Sequence, residues 1–169
     1  MTSIYKILII LFSFLFIWSC GDKVEKISKI VEVDMEMQMT NAYKEGYFEL
    51  KRGDALLAAK KFNEAELLYP QSIWASKSAL MAAYAYYSQN YYNDTIYELE
   101  RFIQTYPKDE NIGYANYLLA MSFYEQIVDE KKDLRSILEA RDQFIIVIKN
   151  YPSSEFAVDA KFKIDLINE

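Results

Sequence analysis

The chain contains no histidine. That removes the side chain most used as a general base near neutral pH, and the commonest metal ligand. A single cysteine, Cys20, rules out a disulfide within the chain and confines thiol chemistry to one position. Four glycines and three prolines are few for 169 residues, and no glycine-rich phosphate loop is among them. Their scarcity, with apolar residues spaced at helical intervals, predicts an all-α fold. Basic charge is in deficit too: 19 Lys and Arg stand against 25 Asp and Glu, a net charge of −6. Such a chain repels phosphate backbones, which excludes nucleic acid as a partner. It also repels anionic headgroups.

Little chemistry remains for an enzyme. The carboxylate pairs Glu64/Glu66, Glu98/Glu100 and Asp129/Glu130 fall on expected polar helix faces or in a charged connector, where solvated charge is the ordinary reading. The expectation is a non-catalytic protein without metal or diffusible cofactor.

The N-terminus carries a different signal. Lys6 precedes the apolar run Ile7–Trp18, which includes Ser13, and then Ser19-Cys20. Twelve residues are short for a bilayer span, which takes about 20, but match the apolar region of a secretory leader. A buried N-terminal helix is the alternative. Ile17-Trp18-Ser19-Cys20 resembles a bacterial lipobox, although Trp18 departs from the small residue usual there. The resemblance implies a leader over residues 1–19 and covalent lipid on Cys20; a lone thiol is the alternative. Gly21 in place of Asp then implies sorting to the outer membrane. Residues 20–40 form a tether. In it Val24, Ile27 and Ile30 suit either a weak helical stripe or an extended leash. The 150 residues from Cys20 suit one domain.

What is present in excess is tyrosine, fifteen in all, within 52% apolar residues. Three of them precede the three prolines: Tyr69-Pro70, Tyr106-Pro107 and Tyr151-Pro152. Upstream of each lies one phase: Ala58, Phe62, Ala65, Tyr69; Thr95, Leu99, Phe102, Tyr106; Ala140, Phe144, Val147, Tyr151. Each set sits at i, i+4, i+7, i+11, one helix face. A small residue, Gly46, Ala83 or Ala120, stands 24, 24 and 32 residues before its proline, and the prolines are 37 and 45 apart. One insertion of eight residues, placed between Asp129 and Arg135, explains both differences. The pattern resembles the tetratricopeptide repeat. Repeat two fits best, with Ala83, Tyr86, Leu99, Phe102 and Pro107, while repeat one has Glu49 where an aromatic is usual. The expected architecture is an all-α solenoid over 41–169: helix-turn-helix repeats at about 41–70, 75–107 and 112–152, and a final helix over 155–168. That helix either caps the stack, with Asp159, Lys161, Lys163 and Asp165 outward, or opens a further unit. Arg52-Gly53-Asp54 is expected to be a turn, with Gly53 ending one helix and Asp54 capping the next.

In tetratricopeptide stacks the first helices line a concave groove. Counted from the small residue, that places Tyr43, Tyr47 and Leu50, then Leu80, Tyr84 and Tyr87, then Tyr117, Met121 and Tyr124 toward it. Tyrosine joins a large apolar face to a hydroxyl at small rotamer cost, which suits an extended peptide. The alternative for each ring is a wedge between neighbouring helices.

The whole chain after the leader resembles the BamD-type lipoproteins of the outer-membrane β-barrel assembly machinery. The resemblance rests on the lipid-anchored start, Ala58 to Tyr69-Pro70, Tyr84-Ala85-Tyr86-Tyr87, Arg101-Phe102-Ile103 before Tyr106-Pro107, Asn111-Ile112 before Tyr114, the insertion in repeat three, and Tyr151-Pro152-Ser153-Ser154. It implies five repeats, the last of which would follow Glu169 or are missing here. It also implies a lipid-anchored protein on the periplasmic face of the outer membrane, touching the membrane through lipid alone. Such a protein recognises unfolded barrel precursors and passes them to the insertion subunit, docking its POTRA region beside other assembly lipoproteins. On that view Tyr43, Tyr69, Tyr84 and Tyr87 belong to the substrate end. The alternative is a periplasmic scaffold lipoprotein for cell-envelope or division proteins.

Overall fold

The structure is a computed structural model and describes residues 24–128 and 134–168. The leader 1–19, Cys20 and most of the expected insertion lie outside the described residues. Internal contacts divide the chain into residues 1–36 and 37–169. The described part of the first unit, 24–36, is helical. Among the described residues there are seven α-helices and no strand. They are α1 Val24–Arg52, α2 Ala55–Leu68, α3 Ile73–Tyr87, α4 Tyr92–Thr105, α5 Ile112–Glu125, α6 Leu134–Asn150 and α7 Glu155–Asn168. The tetratricopeptide-type solenoid is therefore present as paired helices: α1 with α2, α3 with α4, α5 with α6, then α7. The first helix reaches back to Val24, through most of the stretch expected as tether, and Met39 and Ala42 already pack on Ala65 of α2.

The punctuation is chemical. Helices α2, α4 and α6 end at Leu68, Thr105 and Asn150, each two residues before a proline. A residue preceding proline is driven out of helical backbone, and proline offers no N–H. Gly53, at φ +84°, closes α1 with N–H bonds from Gly53 to the Leu50 carbonyl (3.1 Å) and from Asp54 to Glu49 (3.0 Å). Asp54 then caps α2, its Oδ1 accepting from the Leu57 N–H at 3.0 Å. The expected turn at Arg52-Gly53-Asp54 is thus found. Thirty-seven residues later Asn90, at φ +63°, closes α3 in the same way, with bonds to Tyr87 (3.0 Å) and from Tyr91 to Tyr86 (3.1 Å). Glycine and asparagine are the residues that tolerate this left-handed position. Repeat three has β-branched Ile127 there, which does not. The chain instead makes a 3₁₀ turn, Gln126–Val128, and a longer connector before α6.

The core follows the repeat phase. Ala58, Phe62 and Ala65, then Thr95, Leu99 and Phe102, then Ala140, Phe144 and Val147, are all fully buried. The small residues Gly46, Ala83 and Ala120 are buried against them. A methyl group at Gly46 would stand 2.9 Å from the Phe62 ring, so the helices meet there with no room for a side chain. The final helix matches its expected polar cap only in part: Lys161 and Asp165 are exposed, while Asp159 and Lys163 are half-buried and engaged. Asp159 accepts a hydrogen bond from the Tyr117 hydroxyl (2.7 Å), and the Lys163 ammonium lies over the Tyr124 ring. Val158, Phe162 and Leu166, four residues apart, are exposed instead. The helix turns its shorter side chains, Ala157 and Ala160, into the stack and leaves an apolar stripe outward.

Candidate functional site

The rings chosen from the sequence fall into two sets. Tyr47 of α1 and Tyr84 of α3, each one residue after the small position, are 46% and 39% exposed. Both rings reach solvent, although the Lys51 ammonium stands over one face of Tyr47. The others are half-buried and wedge helices together. Tyr43 packs edge-on against Phe62 and Trp74, both at 5.2 Å between centroids. Tyr87 bridges the clusters around Phe102 and Phe144 and packs on Tyr92 at 5.8 Å. Tyr117 stacks on Phe156 at 5.1 Å while its hydroxyl donates to Asp159. Tyr124 meets Phe144 edge-on at 6.1 Å. Tyr69, at the end of α2, packs on Met39, Ala42 and Ala65. Burial pushes the Tyr43 and Tyr117 hydroxyls up, with Tyr47 and the Asp159 hydrogen bond next in order, and pushes Tyr87 up to about 12. These rings stay neutral far above pH 7.

Two residues that the spacing did not single out join this face. Trp74, at the start of α3, is exposed beside Tyr43. The Lys77 ammonium lies 4.6 Å from its ring centroid and 5.9 Å from that of Tyr43. Lys51 sits likewise over Tyr47 at 4.6 Å, and Lys163 over Tyr124 at 4.8 Å. Ring faces attract cations, and among the described residues none of these three lysines has a carboxylate within 4 Å. Trp74 aligns with Met37 and Asn111 in the neighbouring units. No repeat pattern marks it, and only its proximity to Tyr43 does.

The acidic pairs need a correction. Glu66 and Glu98 are not solvated: each is 6% exposed. Arg101 of α4 joins them. Its two terminal nitrogens donate to both Glu66 oxygens at 2.7 Å, and its Nε and Nη2 donate to Glu98 Oε2 at 3.0 and 2.9 Å. Asn63 donates to Glu98 (2.9 Å) and the Tyr106 hydroxyl to Glu66 (2.7 Å). The cluster ties α2 of repeat one to α4 of repeat two. Hydrogen bonds to Glu66, then Glu98, hold the guanidinium above its ordinary value. Burial and then Glu66 hold the Tyr106 hydroxyl above its own. The clue in the sequence is Arg101 three residues after Glu98; Glu66, thirty-five residues before Arg101, is out of repeat register with both and carries no mark of its own. A cation so placed gives buried carboxylates a partner.

Among the described residues no cluster of His, Cys, Asp or Glu suits a metal ion, and no helix is long and apolar enough to cross a membrane. What this face offers is surface: Tyr47 and Tyr84 in repeat register, and ammonium groups seated over Tyr47, Trp74 and Tyr124.

Comparison with known proteins agrees with that reading of the repeats. A family model described as YfiO, outer membrane lipoprotein, matches residues 35–169. The outer membrane protein assembly factor BamD of Caulobacter vibrioides is 36% identical over 150 residues, covering 89% of this chain and 48% of that protein. Its counterpart in Rickettsia prowazekii is 30% identical over 136 residues, covering 80% and 54%. That of Xylella fastidiosa (strain Temecula1) is 27% identical over 168 residues, covering 94% and 56%. The chain thus spans about half the length of these relatives. They are named as assembly factors, not as enzymes. With the repeat phase, the helix pairs and these matches in agreement, the chain belongs to the YfiO family of outer membrane lipoproteins, which it shares with the BamD assembly factors.

Proposed function

We propose that this chain is a non-catalytic part of the outer-membrane protein assembly complex, and that its first-helix face takes up unfolded β-barrel precursors. The observation that carries the reading is the pair of exposed rings at one repeat position, Tyr47 and Tyr84, with Trp74 exposed beside Tyr43. Rings at helix-stack spacing contact alternate side chains of an extended strand without base or nucleophile. The names of the relatives supply the class of cargo. Cys20 carries the lipid, and the stack is held at the periplasmic face of the outer membrane by that anchor alone. The strand is then passed to the insertion subunit, whose POTRA region the stack docks beside other assembly lipoproteins. The tyrosines at 43, 69, 87, 117 and 124 serve mainly by fixing the helices that present the exposed pair.

The test is a titration of a fluorescent peptide, taken from the C-terminal strand of a barrel precursor, against the wild type and a Tyr47→Ala/Tyr84→Ala variant. Both rings are exposed, so helicity should not change. Affinity should fall by about tenfold or more, the range of an aromatic interface anchor. Equal affinity in the two proteins would remove the peptide-binding face from the account.

A further inference from the structure

Charge along the first-helix face changes sign between repeats two and three. On α1, Thr40, Lys44, Tyr47 and Lys51 fall at i, i+4, i+7 and i+11, one stripe of a helix. The aligned stripe on α3 is Lys77, Met81, Tyr84 and Ser88, and on α5 it is Tyr114, Leu118, Met121 and Glu125. The first two stripes hold three lysines and no acid, in a chain of net charge −6. The third holds one acid and no lysine.

Two of those lysines are seated. Lys51 lies over Tyr47, and Lys77 over Trp74 and Tyr43. Both are exposed, and among the described residues neither has a carboxylate within 4 Å. An ammonium held on a ring still presents N–H donors to a ligand, because the ring binds by its face and takes no lone-pair position. The ring also shields it from water on one side. Each station therefore offers an apolar plane and a positive charge side by side, once in repeat one and once at the junction with repeat two.

We propose that this basic stripe reads acidic side chains. Its ligand is an extended peptide segment in which Asp or Glu stands among aromatic or aliphatic residues, with a carboxylate for each of Lys51 and Lys77 and apolar side chains on the rings between. Two stations on separate helices call for two carboxylates, whereas a chain end supplies one. The inference rests on the first-helix face being the peptide-binding face, and it adds the charge selectivity of that face.

The experiment uses end-blocked decapeptides with identical aromatic and aliphatic residues and either two Glu or two Gln, titrated by fluorescence anisotropy at low salt and at 0.5 M salt. The two-Glu peptide should bind about tenfold tighter at low salt, and the gap should shrink as salt screens it. In Lys51→Met/Lys77→Met, checked for unchanged helicity, the gap should vanish because the Glu peptide weakens while the Gln peptide does not. Equal binding of the two peptides by the wild type overturns the proposal. So does a gap that persists in the lysine variant, or a gain seen only when the C-terminal block is removed. Failure of Tyr47→Ala/Tyr84→Ala to weaken either peptide is a separate result, and it would remove the binding face itself.

Discussion

At the residue scale the largest consequence belongs to Arg101. It partners two carboxylates that are almost wholly buried. Arg101→Met leaves both acids without a cation, and should cost about 2–3 kcal/mol, discounted because the guanidinium itself is partly wetted. Urea unfolding of this variant and of Glu66→Gln/Glu98→Gln/Arg101→Met measures it. The triple variant should recover much of the loss, since it removes the stranded charges. Tyr87 gives a pH signature. Burial, then Glu125, raise its hydroxyl from 10.0 to about 12. Folding therefore favours the protonated ring, and its contribution is complete below pH 10 and lost as pH rises toward 12. The urea midpoint should fall between pH 9 and pH 11 by less in Tyr87→Phe than in the wild type. Single residues were unevenly legible in the sequence. The phase of Phe62, Phe102 and Phe144 follows from local pattern. The burial of Glu66 does not, because it depends on Arg101, thirty-five residues away, reaching across two helices.

At the element scale the turns decide how the helices meet. Gly53 and Asn90 both hold positive φ at aligned positions. Gly53→Ala and Asn90→Ala should each cost about 1 kcal/mol by forcing a Cβ into the left-handed region, and Asn90→Gly should be near neutral. Thermal unfolding of the three variants checks the ranking. At the small position Gly46→Val meets the Phe62 ring and should cost about 2 kcal/mol by overpacking. Helix ends were read well from the sequence, since Tyr-Pro stops a helix by local sterics alone. The start of α1 and the outward side of α7 were not. Met39 packs through tertiary contact with Ala65, and Val158, Phe162 and Leu166 look like core residues by type. Residue type says that a side chain is apolar, but only its neighbours say whether it is covered.

At the scale of the whole molecule, one unit is written three times and stacked, so that both helices of each pair supply core residues and the first helices also carry a face. The fold class was legible because periodicity, proline spacing and the small positions agree. For the proposed binding face, the sequence names candidate rings but not which of them are exposed. Seven tyrosines were candidates, and packing against Phe62, Phe144 and Phe156 occupies several of them, leaving Tyr47 and Tyr84 exposed. Tetratricopeptide spacing names the helix face, while exposure depends on what the next helix brings against it. The open rings are thus the place where an unfolded precursor should touch the protein. The direct measurement is photo-crosslinking of a radiolabelled barrel precursor with a photo-reactive amino acid at position 84, or at position 97 as the exposed control on α4. A precursor adduct at 84 and none at 97 is the expected result. Adducts at 97 but not at 84, or equal labelling at both, would contradict it.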